Sequence, residues 1–197
     1  MNDKNTITNN QGVMESIFYA MDNLKRDLEK CGMRLNDAMV KFELEIFSNT
    51  STSFKVVFGL QEESLTTGSC KGDTTLTIQE NDYFKKKKRV LIYNIENGTF
   101  EYNQIKKAGS DTISLLFPLE NDYPENSKIV VWKEVSYKFD ENEKKLERRI
   151  DRGNLKTMVE NVTDFDVTFF PDANALLYRL EVNKREQIRS YIILKSM

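Results

Sequence analysis

The chain has 197 residues, which is enough for one sizeable domain, with room for a subdomain, but not for several domains. Its 29 basic and 31 acidic residues give a formal net charge of −2, and this near balance argues against a dedicated nucleic-acid binder. The sequence contains no histidine, so a catalytic site that pairs serine or cysteine with histidine is excluded within this chain. The two cysteines are too few for a four-thiolate zinc site.

The composition is typical of a protein with a packed core, since 39% of the residues are hydrophobic and 12 are phenylalanine. No apolar window is long enough for a transmembrane helix. The first eleven residues, MNDKNTITNNQ, lack the apolar core of a signal peptide. Taken literally, these features indicate a cytosolic protein, but a chain whose targeting segment has been removed would read the same way.

An amphipathic helix is predicted over 13–32, after a start at 1–12 that is expected to be disordered or foreign to the domain. The helix residues expected to pack on a sheet are Val13, Ile17, Met21, Leu24 and Leu28, and Cys31 extends the stripe. Phe18 and Tyr19 lie off this stripe, so they either widen the buried face or contact another molecule. Gly32 can end the helix in the left-handed conformation.

From residue 42 the apolar residues alternate with period two, which predicts strands. The predicted strands are 42–47, 53–60, 74–80, 89–95, 100–105, 111–117, 128–139, 146–150, 164–170, 176–182 and 188–194. The segment 128–139 reads as one bent strand or two short ones, and 155–162 as a strand or a short helix. Turn signals lie at Asn97-Gly98, at 151–153 and at Asn183-Lys184. Sequential strands joined by short turns favour antiparallel sheet.

These elements predict an α+β fold: one N-terminal helix packed on an antiparallel β domain over 42–197, with a second small sheet allowed. We expect a single domain over 13–197. No cofactor and no metal site is expected, because the carboxylate-rich segments at 59–64, 80–83 and 120–126 lack the spacing of a calcium-binding loop. Turn chemistry accounts for those segments more simply.

Two further features have a functional and a structural interpretation. The basic run Lys85, Lys86, Lys87, Lys88 and Arg89 is either an anion-binding patch or a solvated strand edge that discourages aggregation. The aromatic residues of the predicted strands are either a platform for sugar or single-stranded nucleic acid, or core and cross-strand pairs. These aromatic residues are Trp132, Tyr93, Tyr102, Tyr137 and Tyr191.

Cys31 and Cys70 also leave two readings open. In an exported protein a disulfide would tie the end of the helix to the loop around Cys70. In a cytosolic protein both residues would be unpaired thiols. The residues alone do not decide between the two.

The helix end and the C-terminal half resemble PilW-like minor pilins of type IV pili, and the minor pseudopilin J of type II secretion has a similar C-terminal half. The segment AMDNLKRDLEKCGMRL at 20–35 resembles the junction between helix and domain, with Arg26-Asp27-Leu28-Glu29 in place of an Arg-Asp-Leu-Arg turn. The run at 135–170 resembles the strand-and-turn pattern of that family. Its matching positions are Tyr137, Leu146, Arg148, Val162, Asp164 and Phe165. The match at 82–94 is looser, because lysine and arginine replace the usual Gly-Asp.

The resemblance implies a pilin-like fold and a structural, non-enzymatic minor pilin that helps to initiate or cap a type IV pilus. It implies contacts with other minor pilins and with the major pilin, and an inner-membrane anchor in a segment that is not part of this sequence. The protein would then act at the cell surface or in the periplasm, where an oxidising compartment favours a Cys31–Cys70 bridge. Phe18 and Tyr19 become candidate subunit contacts.

Alternatives remain beside this interpretation. One is a minor pseudopilin of a type II secretion system, and another is a pilus-tip module for adhesion or DNA binding, with Lys85 to Arg89 as its candidate site. A cytosolic enzyme of an unfamiliar family is a third alternative. The lack of histidine and of a glycine loop for phosphate argues against the enzyme.

Overall fold

The structure is a computed structural model that describes residues 3–50, 52–170, 175–182 and 186–193. The helices are α1 (Asp3–Glu29) and α2 (Asn36–Phe42). The strands are β1 (Phe47–Asn49), β2 (Ser53–Ser64), β3 (Thr75–Thr77), β4 (Arg89–Asn94), β5 (Thr99–Ala108), β6 (Thr112–Leu115), β7 (Lys128–Asp140), β8 (Lys145–Ile150), β9 (Lys156–Glu160), β10 (Val162–Phe170), β11 (Ala175–Val182) and β12 (Glu186–Ile193).

The chain divides into two compact units rather than the single domain expected from the sequence. Unit 1 comprises Met1–Cys31, Phe47–Val56 and Glu134–Met197, and unit 2 comprises Gly32–Ile46 and Val57–Lys133. The long strands β2 and β7 contribute residues to both units. A strand that simply continues gives no change of periodicity at the boundary, so the sequence pattern carries no sign of the division.

In unit 1 the helix α1 contacts β9 and β12. The strands β7, β8 and β9 form an antiparallel meander in which Tyr137 lies opposite Arg148. The strands β10, β11 and β12 form a separate antiparallel sheet. Phe54 connects these parts, because its ring stacks on Tyr137 with centroids 4.8 Å apart and lies 6.2 Å from the ring of Phe165. Aromatic pairs at such distances add to the energy of burial.

In unit 2 the strand order is β2, β7, β4, β5, β6 and β3. On one face of this sheet the ring of Phe42, from α2, lies 6.2 Å from that of Tyr93. A core cluster of strand and loop side chains lies on the other face. Its members are Leu65, Leu76, Ile78, Phe84, Val90, Ile92, Ile105, Ile113, Leu115, Leu119, Tyr123, Ile129 and Val131. Only β5 alternates between buried and exposed side chains, whereas β4 and β7 are buried on both faces over 90–93 and 129–131.

The α+β, pilin-like fold class expected from the sequence is wrong. The described residues form a β-rich fold with twelve strands and two helices, and most of the pairing is antiparallel sheet. The helix α1 was expected to pack on the antiparallel β domain, and its contacts include the strands β9 and β12. Among the described residues, pairing between strands accounts for most of the fold.

Three local predictions are also corrected. The helix was expected to begin near Val13 after a disordered start, but α1 begins at Asp3. The strand expected over 42–47 is absent, because Phe42 ends α2 and Glu43 takes a left-handed conformation with φ 51°. The strand expected over 74–80 is limited to Thr75–Thr77.

Several turn predictions are confirmed. Gly32 follows α1 with φ 73°, and Gly98 takes φ 67° in the turn between β4 and β5. Asn94 stabilises that turn, since its side-chain Oδ1 accepts a hydrogen bond of 2.8 Å from the Asn97 N–H. The turn at 151–153 joins β8 to β9, and 128–139 lies within one continuous strand. The predicted turn at Asn183-Lys184 lies outside the described residues.

Neither of the helices found in the described residues is both long enough and apolar enough to cross a membrane.

Candidate functional site

The C-terminal end of α1 is tied to the β7–β8 hairpin by a buried polar cluster, which we call the helix anchor: Asp27, Tyr137 and Arg148. The Tyr137 hydroxyl donates a hydrogen bond of 2.8 Å to Asp27 Oδ2, and Arg148 Nε donates one of 2.8 Å to the same oxygen. A second guanidinium nitrogen of Arg148 lies 2.7 Å from it. Arg148 Nε also donates to the Tyr137 hydroxyl at 3.1 Å. Every member of the anchor therefore contacts the other two.

Burial makes the helix anchor energetically important. Asp27 is 4% exposed and Tyr137 is fully buried, so neither can exchange its partner for water. Burial and the neighbouring Asp27 carboxylate raise the pKa of the Tyr137 hydroxyl well above its ordinary value. The phenol therefore stays protonated, and it can serve as the hydrogen-bond donor that the carboxylate needs.

The helix anchor was not predicted as a site, although its members were named. Asp27, Tyr137 and Arg148 all lie in segments that carry the resemblance to PilW-like minor pilins. The helical spacing offered a further signal, because Asp27 follows the buried Leu24 by three residues and so falls on the inward face. A charged residue at an inward helical position indicates a buried partner.

The stripe residues of α1 lie where helix packing requires. Ile17, Met21, Leu24 and Leu28 are buried, and Val13 is half-buried. Ala20 is buried as well and was missed by the pattern. The candidate subunit contacts Phe18 and Tyr19 are 62% and 64% exposed, so they do not widen the buried face.

The cysteines are not joined in the structure. Cys31 is buried and Cys70 is exposed, and no Cys31–Cys70 disulfide is present. A hydrogen bond within the loop holds Cys70 in place: the Cys70 N–H donates to the Asp73 carboxylate at 2.7 Å. The disulfide candidate is thus not supported by the geometry.

The basic run lies beside β5 in unit 2. The Lys87 N–H donates to the Ile105 carbonyl at 2.8 Å, and the Ile105 N–H donates to the Lys88 carbonyl at 2.9 Å. The Gln104 side-chain amide donates to the Lys87 carbonyl at 2.9 Å. Lys85, Lys86 and Lys87 are exposed. The run is therefore an ordered extension of the sheet, in line with the structural interpretation, and it presents its ammonium groups to solvent.

The aromatic residues separate into two groups. Tyr93 and Tyr137 are fully buried and belong to the core. Tyr102 is 54% exposed and lies 5.6 Å from the ring of Trp132, whose face is covered by the Arg89 guanidinium at 3.7 Å. The side chain of Tyr191 lies outside the described ones. We call the combination of Tyr102, Trp132, Arg89 and the lysines at 85–88 and 106–107 the basic aromatic surface.

Of the predicted carboxylate segments, 80–83 and 120–126 lie in turns and loops, whereas Glu62 and Glu63 lie in β2. Glu101 Oε2 accepts hydrogen bonds from the backbone N–H groups of Glu120 and Asn121, and the Asp122 carboxylate accepts one from the Lys71 N–H. Among the described residues, no group of three or more acidic or cysteine side chains is arranged to hold a metal ion.

An acidic depression in unit 2 bears on the enzyme alternative. Arg34, Glu62, Glu63, Glu80 and Asp82 are among its lining residues. Burial raises the pKa of the Glu62 carboxyl above its ordinary value of 4.5. The nearby Lys128 ammonium lowers this pKa, but its effect is smaller than that of burial. Glu62 accepts a hydrogen bond of 3.3 Å from the Tyr93 hydroxyl, and Lys128 Nζ lies 4.0 Å from its other oxygen. These contacts give Glu62 a structural role in this depression.

Comparison with known proteins gives little to add. No family model matches the chain, and no curated protein matches it. Among solved structures, the chain is similar to the Gp54 tailspike of Acinetobacter baumannii bacteriophage AP22, solved in complex with A. baumannii capsular saccharide. The identity is 11% and the TM-score 0.33, over 39% of this chain and 15% of the tailspike. A likeness at this level carries no argument about function.

Proposed function

We propose that the protein is a non-enzymatic structural subunit that acts by packing against neighbouring subunits, as a minor pilin does when a type IV pilus is initiated or capped. The observation that carries the proposal is the pair of exposed aromatic residues, Phe18 and Tyr19, on a helix whose other face is buried. Exposed aromatic side chains are enriched where proteins bind one another.

The helix anchor supports this role, because a subunit that transmits packing forces needs a helix held firmly on its domain. Asp27 joins α1 to β7 and β8 through Tyr137 and Arg148. The three residues lie in the segments that resemble PilW-like minor pilins, while the fold class is not the one that the resemblance implies.

The test is a double substitution, Phe18→Ala with Tyr19→Ala, introduced in the cells that make the protein. If Phe18 and Tyr19 contact neighbouring subunits, the number of surface filaments falls while the amount of folded subunit is unchanged. Phe117→Ala is the matched control, because Phe117 is 60% exposed and belongs to unit 2. Electron microscopy counts the filaments, and immunoblotting measures the subunit.

A photo-crosslinking residue at position 18 then identifies the neighbour. A crosslinked product with the major pilin or another minor pilin would support a role in pilus assembly. A product with a pseudopilin would indicate the same packing role in type II secretion. Wild-type filament numbers in the double variant, together with no crosslinked subunit of either system, would refute the proposal.

A further inference from the structure

We propose that the basic aromatic surface of unit 2 binds single-stranded nucleic acid, with the lysines on the phosphates and Tyr102 stacked on a base. This activity is separate from subunit packing. It concerns a different unit from Phe18 and Tyr19, and it stands or falls independently of the role proposed for them.

The strand register brings the aromatic part of the surface together. On β4 Arg89 lies opposite both Gln104 on β5 and Trp132 on β7, and Leu91 lies opposite Tyr102. Because side chains two residues apart share a face, Tyr102 and Gln104 project on the same side as Arg89 and Trp132. The opposite side of these strands contributes to the buried core. Tyr102 and Trp132 thus lie on the face away from that core cluster, a face that also carries the buried Leu91 and Val130.

Arg89 and Trp132 prepare Tyr102 for stacking. The Arg89 guanidinium lies 3.7 Å from the centre of the Trp132 ring, which is cation–π geometry. The Trp132 ring in turn lies 5.6 Å from that of Tyr102 at an interplanar angle of 58°. The ring of Phe100 also lies 6.1 Å from that of Tyr102, which remains 54% exposed. An exposed, supported aromatic ring is the usual platform for an unpaired base.

The lysines supply charge complementarity to a phosphate backbone. The segments 82–89 and 104–107 carry seven cationic side chains and one acidic side chain, Asp82. The backbone hydrogen bonds of Lys87 and Lys88 to Ile105 place the two segments side by side. Six of these seven cationic side chains are lysines, at 85–88 and 106–107. Within the part of the chain that the structure describes, none of these six lysines forms an ion pair with a carboxylate. These lysines are available to phosphate oxygens.

A single strand is the occupant that the observations favour. A neutral sugar would use the aromatic ring but would leave the lysines without a partner, and an anionic membrane would use the lysines but not a stacked Tyr102. A duplex keeps its bases paired, so it too cannot stack on Tyr102. An unpaired strand engages both parts of the surface. The overall charge of −2 confines the attraction to this local patch.

The experiment measures fluorescence anisotropy of a labelled oligothymidylate of about 15 nucleotides, a length that matches common single-strand sites. We expect binding by the wild-type chain that weakens steeply with salt, and weaker binding of the corresponding duplex. Tyr102→Ala should weaken single-strand binding by roughly tenfold or more, whereas Tyr102→Phe should stay close to wild type because the ring is kept. Phe117→Ala is the control for loss of an exposed aromatic ring, because Phe117 is 60% exposed and lies outside both proposed binding surfaces.

A second variant tests the phosphate contacts. Replacing Lys85, Lys86 and Lys106 by glutamine should lower the slope of log K against log salt by about two, since each phosphate contact contributes roughly 0.7 for single strands. The control replaces three other exposed lysines, Lys41, Lys71 and Lys156, and changes the net charge equally. Circular dichroism verifies that each variant is folded.

Three results would overturn the proposal. The first is no binding of the single strand at low salt. The second is equal binding of single strand and duplex that does not depend on Tyr102. The third is binding of vesicles of phosphatidylserine, or of a neutral oligosaccharide, by a chain that does not bind the oligonucleotide.

Discussion

The buried Asp27 carboxylate and the partly buried Arg148 guanidinium form an ion pair, with Oδ2 2.7 Å from one nitrogen and 2.8 Å from Nε. The two residues are 121 positions apart in the chain. Their pairing fixes the end of α1 against the β7–β8 hairpin, and Tyr137 completes it by donating to the same oxygen. Buried ion pairs of this kind are costly to break one partner at a time, because the other charge is left uncompensated.

Asp27→Asn and Arg148→Met should each lower the free energy of unfolding by about 3 kcal/mol or more, since each leaves a buried partner without its counter-charge. The double variant should lose less than the sum of the two, by roughly 1–3 kcal/mol, because both charges are then absent. Urea unfolding followed by circular dichroism provides the four values of the cycle.

Asp22→Asn is the matched control for this cycle. Asp22 pairs with Arg26 on the exposed side of α1, and such pairs contribute only about 0.3–0.5 kcal/mol. Strict additivity of Asp27→Asn and Arg148→Met would show that the two residues do not interact in solution.

Glu62→Gln should gain stability relative to wild type as the pH rises above 4.5. The folded state raises the pKa of Glu62, so the folded chain keeps this proton to a higher pH than the unfolded chain does. Stability from this group is therefore lost as the pH rises from 4.5 through the folded pKa. The glutamine variant has no carboxyl group to titrate at this position, so it does not lose this contribution to stability. Urea unfolding at pH 4 and pH 7 measures the difference, and a difference that is unchanged or larger at pH 4 would contradict the sign.

Gly59→Ala should lower the free energy of unfolding by about 1–3 kcal/mol, because the new methyl group meets well-packed neighbours. A Cβ at this position would lie 2.8 Å from Val130 Cγ1 and 2.9 Å from Arg34 Cβ. At Gly68 the nearest atoms are 3.5 Å away, so Gly68→Ala serves as the control with ordinary contacts. Equal urea midpoints for the two variants would mean that the strand around Gly59 shifts without cost.

The two thiols should react at different rates with a chromogenic disulfide reagent. Cys70 is exposed and should react within the mixing phase, whereas Cys31 is 1% exposed and should react only after unfolding. Cys70→Ser should abolish the fast phase and leave the slow one. If protein isolated without reductant shows no reactive thiol even after denaturation, the Cys31–Cys70 bridge forms in its native compartment.

The sequence by itself determined the local features of this protein. The apolar stripe of α1, the left-handed glycine after it and the hairpin at Asn97-Gly98 follow from spacing and turn chemistry over a few residues. The alternating patterns also located most of the strands. These features depend on neighbours in the chain, so they are visible without a fold. Where helical and strand periods competed in a short segment, as at 42–47, the pattern misled.

The tertiary structure alone decided which distant segments meet. The core cluster of unit 2 joins strands and loops that are far apart in the chain, the chain divides within β2 and β7, and Asp27 reaches residues more than a hundred positions away. Likewise, Tyr102 and Trp132 share a face only because β4 lies between β5 and β7. Strand order and register are set by long-range side-chain packing, and a periodicity of two is the same for every possible neighbour.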